Sequence, residues 1–110
     1  MKNFIPDEQI ERDLHWLIQH ATDCAEARAE RQYLDDYKKV LIAKIMKEHP
    51  HYSVSAQERE AYADPRYETH LKALKEAVER DLRMHYLRDI AEARQEAWRT
   101  LSATERAMKL

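Results

Sequence analysis

The sequence of 110 residues contains no glycine. Glycine provides the positive-φ corners of tight hairpins and the close backbone approach of phosphate-binding loops. Its absence therefore argues against a P-loop, a dinucleotide-binding fingerprint and most tight β-hairpins. Aromatic residues are scarce, at 8%, whereas charged residues make up 36% of the chain, which leaves little material for a deep core. Alanine, glutamate, arginine, lysine and leucine dominate, as in long helices, so the composition predicts a single all-α domain.

Cysteine, net charge and long apolar runs are also scarce. The one cysteine, Cys24, cannot form an intramolecular disulfide, which fits a reducing environment. The net charge of −2 is too balanced to predict a nucleic-acid partner for the whole surface. Acidic residues near the start interrupt any secretory signal, and no apolar run approaches the ~20 residues of a membrane span. We therefore expect a cytoplasmic protein that does not enter the membrane.

The first long helix is predicted from about residue 6 to residue 49, because no proline lies between Pro6 and Pro50. Its apolar residues form two runs, of which the first keeps the alternating spacing of four and three that is typical of a coiled coil and the second resumes the stripe. The two runs are Ile10, Leu14, Leu17, Ala21 and Cys24, and then Leu34, Tyr37, Leu41 and Ile45. Between them, Arg28 and Arg31 interrupt the stripe. We expect a polar layer, in which these arginines either pair with acidic residues of the second helix or of another copy, or stay solvated.

The second long helix is predicted from about residue 65 to residue 101, followed by a short C-terminal tail with a capping box at Ser102 and Glu105. It carries two neighbouring series of residues at helical spacing, which are apolar except for Arg94 and together form a wide face. One consists of Met84, Leu87, Ala91, Arg94, Trp98 and Leu101, and the other of Leu82, Tyr86, Ile90, Ala93 and Ala97. One partner helix covers only one such stripe, so we expect self-association of ~2 to 4 copies. The candidate self-association residues are Leu87, Ile90, Trp98 and Leu101.

Residues 50–64 are predicted to form the bend between the long helices, with a short connecting helix from Ala56 to Ala63. Ser55 and Glu58 match the S-x-x-E capping box at its start. Asp64 before Pro65 marks the next helix start, because proline is favoured at the first helical position and keeps the preceding residue extended. The chain is therefore predicted to be a long antiparallel helical hairpin, coiled-coil-like in its packing, with a short helix at the bend.

The bend and the helix ends on either side of it form a basic stretch of the chain. Residues 38–75 contain eight basic and five acidic side chains, with three tyrosines and three histidines. Cations and stackable rings together suit single-stranded nucleic acid. The candidate nucleic-acid-binding residues are Lys44, Lys47, Tyr52, Arg66 and Tyr67. The alternative interpretation is that these side chains are solvated helix ends that only shape a corner.

The sequence contains no catalytic or metal-binding motif. His49-x-His51 with His70, and His20 with Cys24, do not match an established zinc spacing. Cys24 falls on a predicted apolar stripe, which favours a small core residue over a nucleophile. We therefore predict a protein without enzymatic activity, cofactor, metal or catalytic residues.

Three stretches resemble small uncharacterised helical proteins encoded by tailed phages and prophages. These are Y-L-x-x-Y-K at residues 33–38, E-R-E-A-Y-A at residues 58–63 and R-x-E-x-W-R at residues 94–99. Their order is that of the family, and the resemblance covers about residues 25–107. Proteins of this kind are often encoded near single-strand annealing recombinases and single-strand binding proteins, and the family supplies no catalytic residues. The resemblance implies an accessory role in phage DNA recombination or replication, inside the bacterial host cell.

Three functions of different classes follow as hypotheses. The first is a non-enzymatic oligomeric adaptor of phage DNA recombination or replication, which binds itself and a phage or host protein. The second is a direct binder of single-stranded DNA through the basic bend. The third is a small inhibitor of a host enzyme that acts through a helix face in a partner groove. Steep salt dependence of binding would distinguish the second from the other two.

Overall fold

The computed structural model describes residues 2–109, and this part of the chain is all helical. It contains the three helices α1 (Asp7–Lys47), α2 (Val54–Ala63) and α3 (Pro65–Met108), without a β-strand. The predicted all-α class is confirmed. Within the same described range, no residue has a positive φ angle, as expected for a chain without glycine. None of the described helices is long and apolar enough to cross a membrane.

Packing divides the chain into two compact units. Unit 1 combines the residues up to Ala25 with those from Leu82 onward, and unit 2 is Glu26–Asp81. Each unit contains a part of α1 and a part of α3, and unit 2 also contains α2. The sequence predicted a single domain. In the structure, α1 and α3 each run through both units.

In unit 1, α1 and α3 face each other through residues spaced alternately by three and four. These residues are all buried or half-buried: Ile10, Asp13, Leu17, His20 and Cys24 on α1, and Met84, Arg88, Ala91, Gln95 and Trp98 on α3. The expected apolar series on α1 is corrected at two positions, since Leu14 and Ala21 are exposed. Asp13 and His20 occupy the facing positions instead, so this stripe is more polar than the sequence predicted.

In unit 2 the facing residues continue the same alternation on each helix. They are Ala27, Arg31, Leu34, Lys38, Leu41 and Ile45 on α1, with Tyr67, His70, Leu74, Ala77 and Asp81 on α3. Ala27, Ile45, Ala61 and Ala77 are buried. The three alanines among them let the helices approach closely but bury little apolar surface, and Ile45 is the large side chain of this set. The core therefore contributes only modest hydrophobic stabilisation.

The start of α2 differs from the predicted one. The N-cap is Ser53, whose Oγ accepts a hydrogen bond from the backbone N–H of Ala56 at 3.3 Å, and the helix begins at Val54. Ser55 lies inside the first turn, so the proposed capping box at Ser55 is wrong. The predicted second start is confirmed: α3 begins at Pro65, and the Asp64 Oδ1 accepts from the backbone N–H of Arg66 at 2.8 Å.

α3 continues to Met108, past the predicted end near residue 101. Ser102 does not cap a new turn, because its Oγ accepts a hydrogen bond from Nδ2 of Asn3 at 2.8 Å. The same Asn3 amide donates to the Trp98 carbonyl oxygen at 3.1 Å. Contact with the segment that precedes α1 therefore holds the last turns of α3 in helical form.

Candidate functional site

An exposed apolar face runs along α3 in unit 1. Its residues, which we call the apolar face, are Leu82, Tyr86, Leu87, Ile90, Ala93 and Ala97, and all of them are exposed. The exposed fraction is 39% for Leu82, 61% for Tyr86, 42% for Leu87 and 49% for Ile90. Their spacing places them on one side of the helix, beside the facing residues that contact α1. These side chains stay exposed although α1 packs on the adjacent side of α3.

Leu87 and Ile90 also line a hollow of about 210 Å³ between α1 and α3 of unit 1. Trp16 lies on its α1 side, and Asp13 and Arg94 lie next to it. The other two candidate self-association residues are placed differently. Leu101 is half-buried, and Trp98 is half-buried with its indole N–H donating to Oδ1 of Asp7 at 3.0 Å. Trp98 therefore helps to join α3 to the start of α1.

A charged layer crosses each unit between α1 and α3. In unit 1, Arg94 binds both carboxylate oxygens of Asp13, at 2.8 and 2.7 Å, and Gln9 donates a further bond to the same carboxylate at 2.9 Å. In unit 2, Arg31 donates to Oδ2 of Asp81 at 3.1 Å. The predicted cross-helix pairing is confirmed for Arg31. Arg28 is exposed and makes no described ion pair, so pairing of this arginine within the chain is not observed.

At the bend, Arg66 is held between two carboxylates. Its guanidinium contacts Oε2 of Glu48 at 2.6 Å and Oδ2 of Asp64 at 2.9 Å. Hydrogen bonds from Arg66 lower the pKa of both carboxyl groups, and these bonds raise the pKa of the guanidinium. The positive charge of Arg66 is therefore already neutralised, which makes this residue a poor candidate for a phosphate contact.

The other candidate nucleic-acid residues make different local contacts. Lys44 donates to the Tyr37 hydroxyl at 3.2 Å and lies over that ring, whereas Lys47 is exposed. Tyr52 stacks on His49 with ring centroids 4.8 Å apart. Tyr67 packs edge-to-face against Tyr62 at 5.3 Å. The bend thus has separate ring pairs and does not present one continuous stacking platform.

Unit 2 contains a groove that the sequence did not single out. We call it the Lys–Tyr groove; it has a volume of about 380 Å³ and is lined by Lys38, Lys39, Ile42, Ala43, Met46, Tyr62 and Tyr67. All three helices contribute to it, through α1, Tyr62 of α2 and Tyr67 of α3. The spacing of Lys38, Ile42 and Met46 by four residues was the available signal, but Tyr62 joins them only because α2 folds back.

The histidines and the cysteine do not form a metal-binding cluster. Within residues 2–109, no group of three or more His, Cys, Asp or Glu side chains is placed to hold a metal ion. His20 pairs with Asp23 at 3.0 Å, and His70 contacts the Leu34 carbonyl oxygen through Nε2 at 2.6 Å. His85 contacts Asp89 at 3.1 Å. These imidazoles thus serve local contacts on and between the helices.

Comparison with known proteins adds no assignment. No family model, curated protein or solved structure matches this chain.

Proposed function

We propose that the chain is a non-enzymatic adaptor that associates with itself through unit 1 and binds a protein partner. In this proposal α1 and α3 form an antiparallel, coiled-coil-like hairpin with α2 at its bend. The proposal keeps the predicted cytoplasmic setting. The resemblance to phage and prophage proteins supports a role beside DNA recombination or replication, with a phage or host protein as the partner.

The observation that carries self-association is the apolar face of unit 1. Large apolar side chains that recur on one side of a helix normally pack against a neighbouring element. Here α1 already occupies the adjacent side of α3, through Ala91 and Trp98 among others, while Tyr86, Leu87 and Ile90 remain in solvent. A further helix is needed to cover them, and a second copy provides an identical one.

The composition of the core supports the same conclusion. Four of the six buried apolar residues in the described part are alanines, so little apolar area is removed from water within one chain. Association adds the missing burial.

Exposed charges of both signs lie across the span of the apolar face. Arg83, Asp89, Glu92 and Glu96 are exposed, whereas Arg94 already pairs with Asp13 of α1. In a two-fold interface the same patch on each copy meets the other, so Arg83 of one copy can pair with one of these carboxylates on the other while the apolar side chains meet.

The test of self-association is the molar mass of the protein in solution. We expect light scattering at micromolar concentration to give a multiple of 13.2 kDa. Leu87→Asp should give the monomer mass, since it places a charge in the contact. The matched control is Leu71→Asp, because Leu71 lies on the same helix with 40% exposure against 42% for Leu87 but belongs to unit 2.

Three results would count against this assignment. One is a wild-type protein that is monomeric. Another is equal dissociation by both aspartate variants, which would mean that any added charge disturbs the fold. If Leu87→Asp loses its helical circular dichroism, Ile90→Ser, a smaller polar change on the same face, provides the measurement instead. The third contrary result is then an Ile90→Ser protein that keeps both the helical signal and the molar mass of wild type.

The partner is tested by purifying the tagged chain from infected or lysogenic cells and identifying the proteins that co-purify with it. We expect one partner to be retained after nuclease treatment and at raised salt, because contacts between proteins do not depend on counterion release. Retention that disappears with nuclease would instead indicate a nucleic-acid tether and contradict the adaptor role.

A further inference from the structure

The Lys–Tyr groove combines an apolar floor with a basic rim. Ile42, Ala43 and Met46 of α1 form the floor, and Tyr62 and Tyr67 line it from the other two helices. Its volume of about 380 Å³ is in the range of small ligand sites and is large enough for one bulky apolar side chain. Tyr62 is 58% exposed, so its ring is available to a bound molecule.

The rim carries positive charges that the chain itself does not fully neutralise. Lys38 is paired with Asp35 at 2.9 Å, while Lys39 is exposed and makes no ion pair with any described residue. A second, shallower hollow shares Lys39 and Ala43 with the groove and adds Val40, Lys44 and Lys47. Among the described residues that line the two hollows, there is no carboxylate. The surface is thus apolar inside and cationic at its edge.

We propose that the Lys–Tyr groove binds an acidic peptide segment that carries one large apolar side chain. The apolar side chain would enter between Met46 and the tyrosine rings, where burial removes both surfaces from water. Carboxylates on either side of it would reach the lysines at the rim, which determine orientation and accelerate encounter. The tyrosine hydroxyls can donate hydrogen bonds to carbonyl oxygens of the peptide.

The same lysines also suit phosphate groups, but the floor favours a peptide. Bases bound without sequence preference stack on a series of open aromatic faces. In this groove the floor is aliphatic, and the two rings already pack edge-to-face on each other at 5.3 Å. Aliphatic and edge-packed aromatic surface makes better contact with a leucine or phenylalanine side chain than with a planar base.

This inference rests on the proposed adaptor role and specifies the partner segment that the adaptor recognises. The groove lies wholly in unit 2, whereas the apolar face lies wholly in unit 1. The two proposals can therefore fail separately. A Leu87→Asp protein that is monomeric and still binds the peptide would support both, and a wild-type monomer that binds the peptide would overturn self-association alone.

The experiment measures fluorescence anisotropy of a labelled Asp-Glu-Asp-Phe-Asp-Glu peptide with the full chain. Control probes are the same peptide with alanine in place of phenylalanine, its Asn-Gln counterpart and a labelled oligothymidylate. We expect Lys39→Glu to weaken peptide binding about fivefold, as for exposed charge pairs, and Tyr62→Ala about tenfold, as for a tyrosine anchor. Both control peptides should bind more weakly than the parent.

Matched variants show whether the effect belongs to the groove. Lys75→Glu reverses another exposed lysine of unit 2 that makes no described ion pair and does not line the groove. Tyr33→Ala removes a tyrosine that is 60% exposed and, like Tyr62, packs on a second tyrosine, with ring centroids at 5.8 Å. Both variants should bind the peptide with an affinity within twofold of wild type. Their helical circular dichroism and their molar mass in solution should be unchanged.

Several results would overturn the proposal. Absence of peptide binding by the wild-type chain would do so directly. Equal losses in the groove variants and in their matched controls would show that the groove is not the site. The chain could also bind oligothymidylate more tightly than the peptide and lose this binding in Lys39→Glu and Tyr62→Ala. That result would confirm the groove as a site but identify single-stranded nucleic acid as its occupant.

Discussion

At the scale of single residues, the clearest electrostatic feature is Arg66 between Glu48 and Asp64. The arginine lowers the pKa of both carboxyl groups from ordinary values of 4.5 and 3.8. A carboxyl group whose pKa is lower in the folded than in the unfolded state stabilises the fold above its unfolded pKa. That contribution disappears as the pH falls through the folded pKa. The contribution of this cluster is therefore complete near neutral pH and declines below about pH 4.5.

We predict that Arg66→Gln raises the pKa of Glu48 and Asp64 toward those ordinary values. The measurement is a carboxyl-carbon NMR titration of the two side chains. Lys72→Gln is the control, since Lys72 pairs with Glu68 at 3.7 Å and not with either of these carboxylates. If the two pKa values in Arg66→Gln equalled those of wild type, the guanidinium would not be the cause of the shift.

The cap of α2 gives a second prediction at this scale. Ser53→Ala should reduce the free energy of unfolding by about 1 kcal/mol, because a backbone N–H at the helix start loses its acceptor. Ser55→Ala should change it by no more than a few tenths of a kcal/mol and in the stabilising direction, since Ser55 lies within the first turn, where alanine has the higher helix propensity. Urea unfolding at one fixed protein concentration measures both. A larger loss in Ser55→Ala than in Ser53→Ala would restore the capping box predicted from the sequence.

At the scale of helices, polar groups at facing positions fix how α1 and α3 align within each unit. The Asp13 side chain is only 5% exposed and depends on Arg94 and Gln9 for its hydrogen bonds. Removing one partner of a buried pair leaves a charge without compensation, which costs more than the pair contributes. The facing polar residues therefore penalise a shifted alignment more strongly than the alanines do.

We predict that Arg94→Leu lowers the free energy of unfolding by roughly 2 to 3 kcal/mol. This loss is smaller than the loss on breaking a fully buried ion pair, because Arg94 is half-exposed. Arg28→Leu should change it by less than about 0.5 kcal/mol, as at other exposed sites. The double variant Asp13→Leu/Arg94→Leu should recover most of the loss, because no unpaired carboxylate remains. Chemical unfolding of the three variants provides the comparison, and a double variant less stable than Arg94→Leu would refute the explanation.

The helices themselves could be predicted from the sequence. The residues through which α1 and α3 face each other could be predicted only in part. Pro6, Pro50 and Pro65 mark the boundaries, and the absence of glycine leaves long uninterrupted helices between them. The periodicity of apolar residues failed at Leu14 and Ala21, because Asp13 and His20 are polar residues at facing positions. Their partners, such as Arg94, are distant in sequence, so no local pattern reveals them.

The Lys–Tyr groove was beyond sequence reasoning for a related reason. Lys39 and Met46 were recognisable as parts of one helix, but Tyr62 reaches them through the fold of α2. The nucleic-acid hypothesis selected Arg66 by its charge alone. The sequence did not show that Glu48, eighteen residues away, neutralises it.

At the scale of the whole molecule, folding and self-association should be thermodynamically coupled. A chain that buries mainly alanine gains limited stability alone, and a second copy that binds only the folded form adds to it by mass action. The midpoint of thermal unfolding should therefore rise with protein concentration. For Leu87→Asp it should be lower and independent of concentration, since the monomer has no association equilibrium to shift.

This last prediction also tests what kind of contact holds the copies together. If the apolar face forms the interface, the midpoint of thermal unfolding should still rise with protein concentration at high salt. Salt screens charges, whereas the burial of Leu87 and Ile90 does not depend on charge pairing. Circular dichroism melts over a hundredfold range of concentration, at low and high salt, give the measurement, with Leu71→Asp as the control that should follow wild type. If the concentration dependence of the midpoint vanished at high salt, the interface would lie on charged residues instead. If this dependence survived in Leu87→Asp, the interface would lie away from the apolar face.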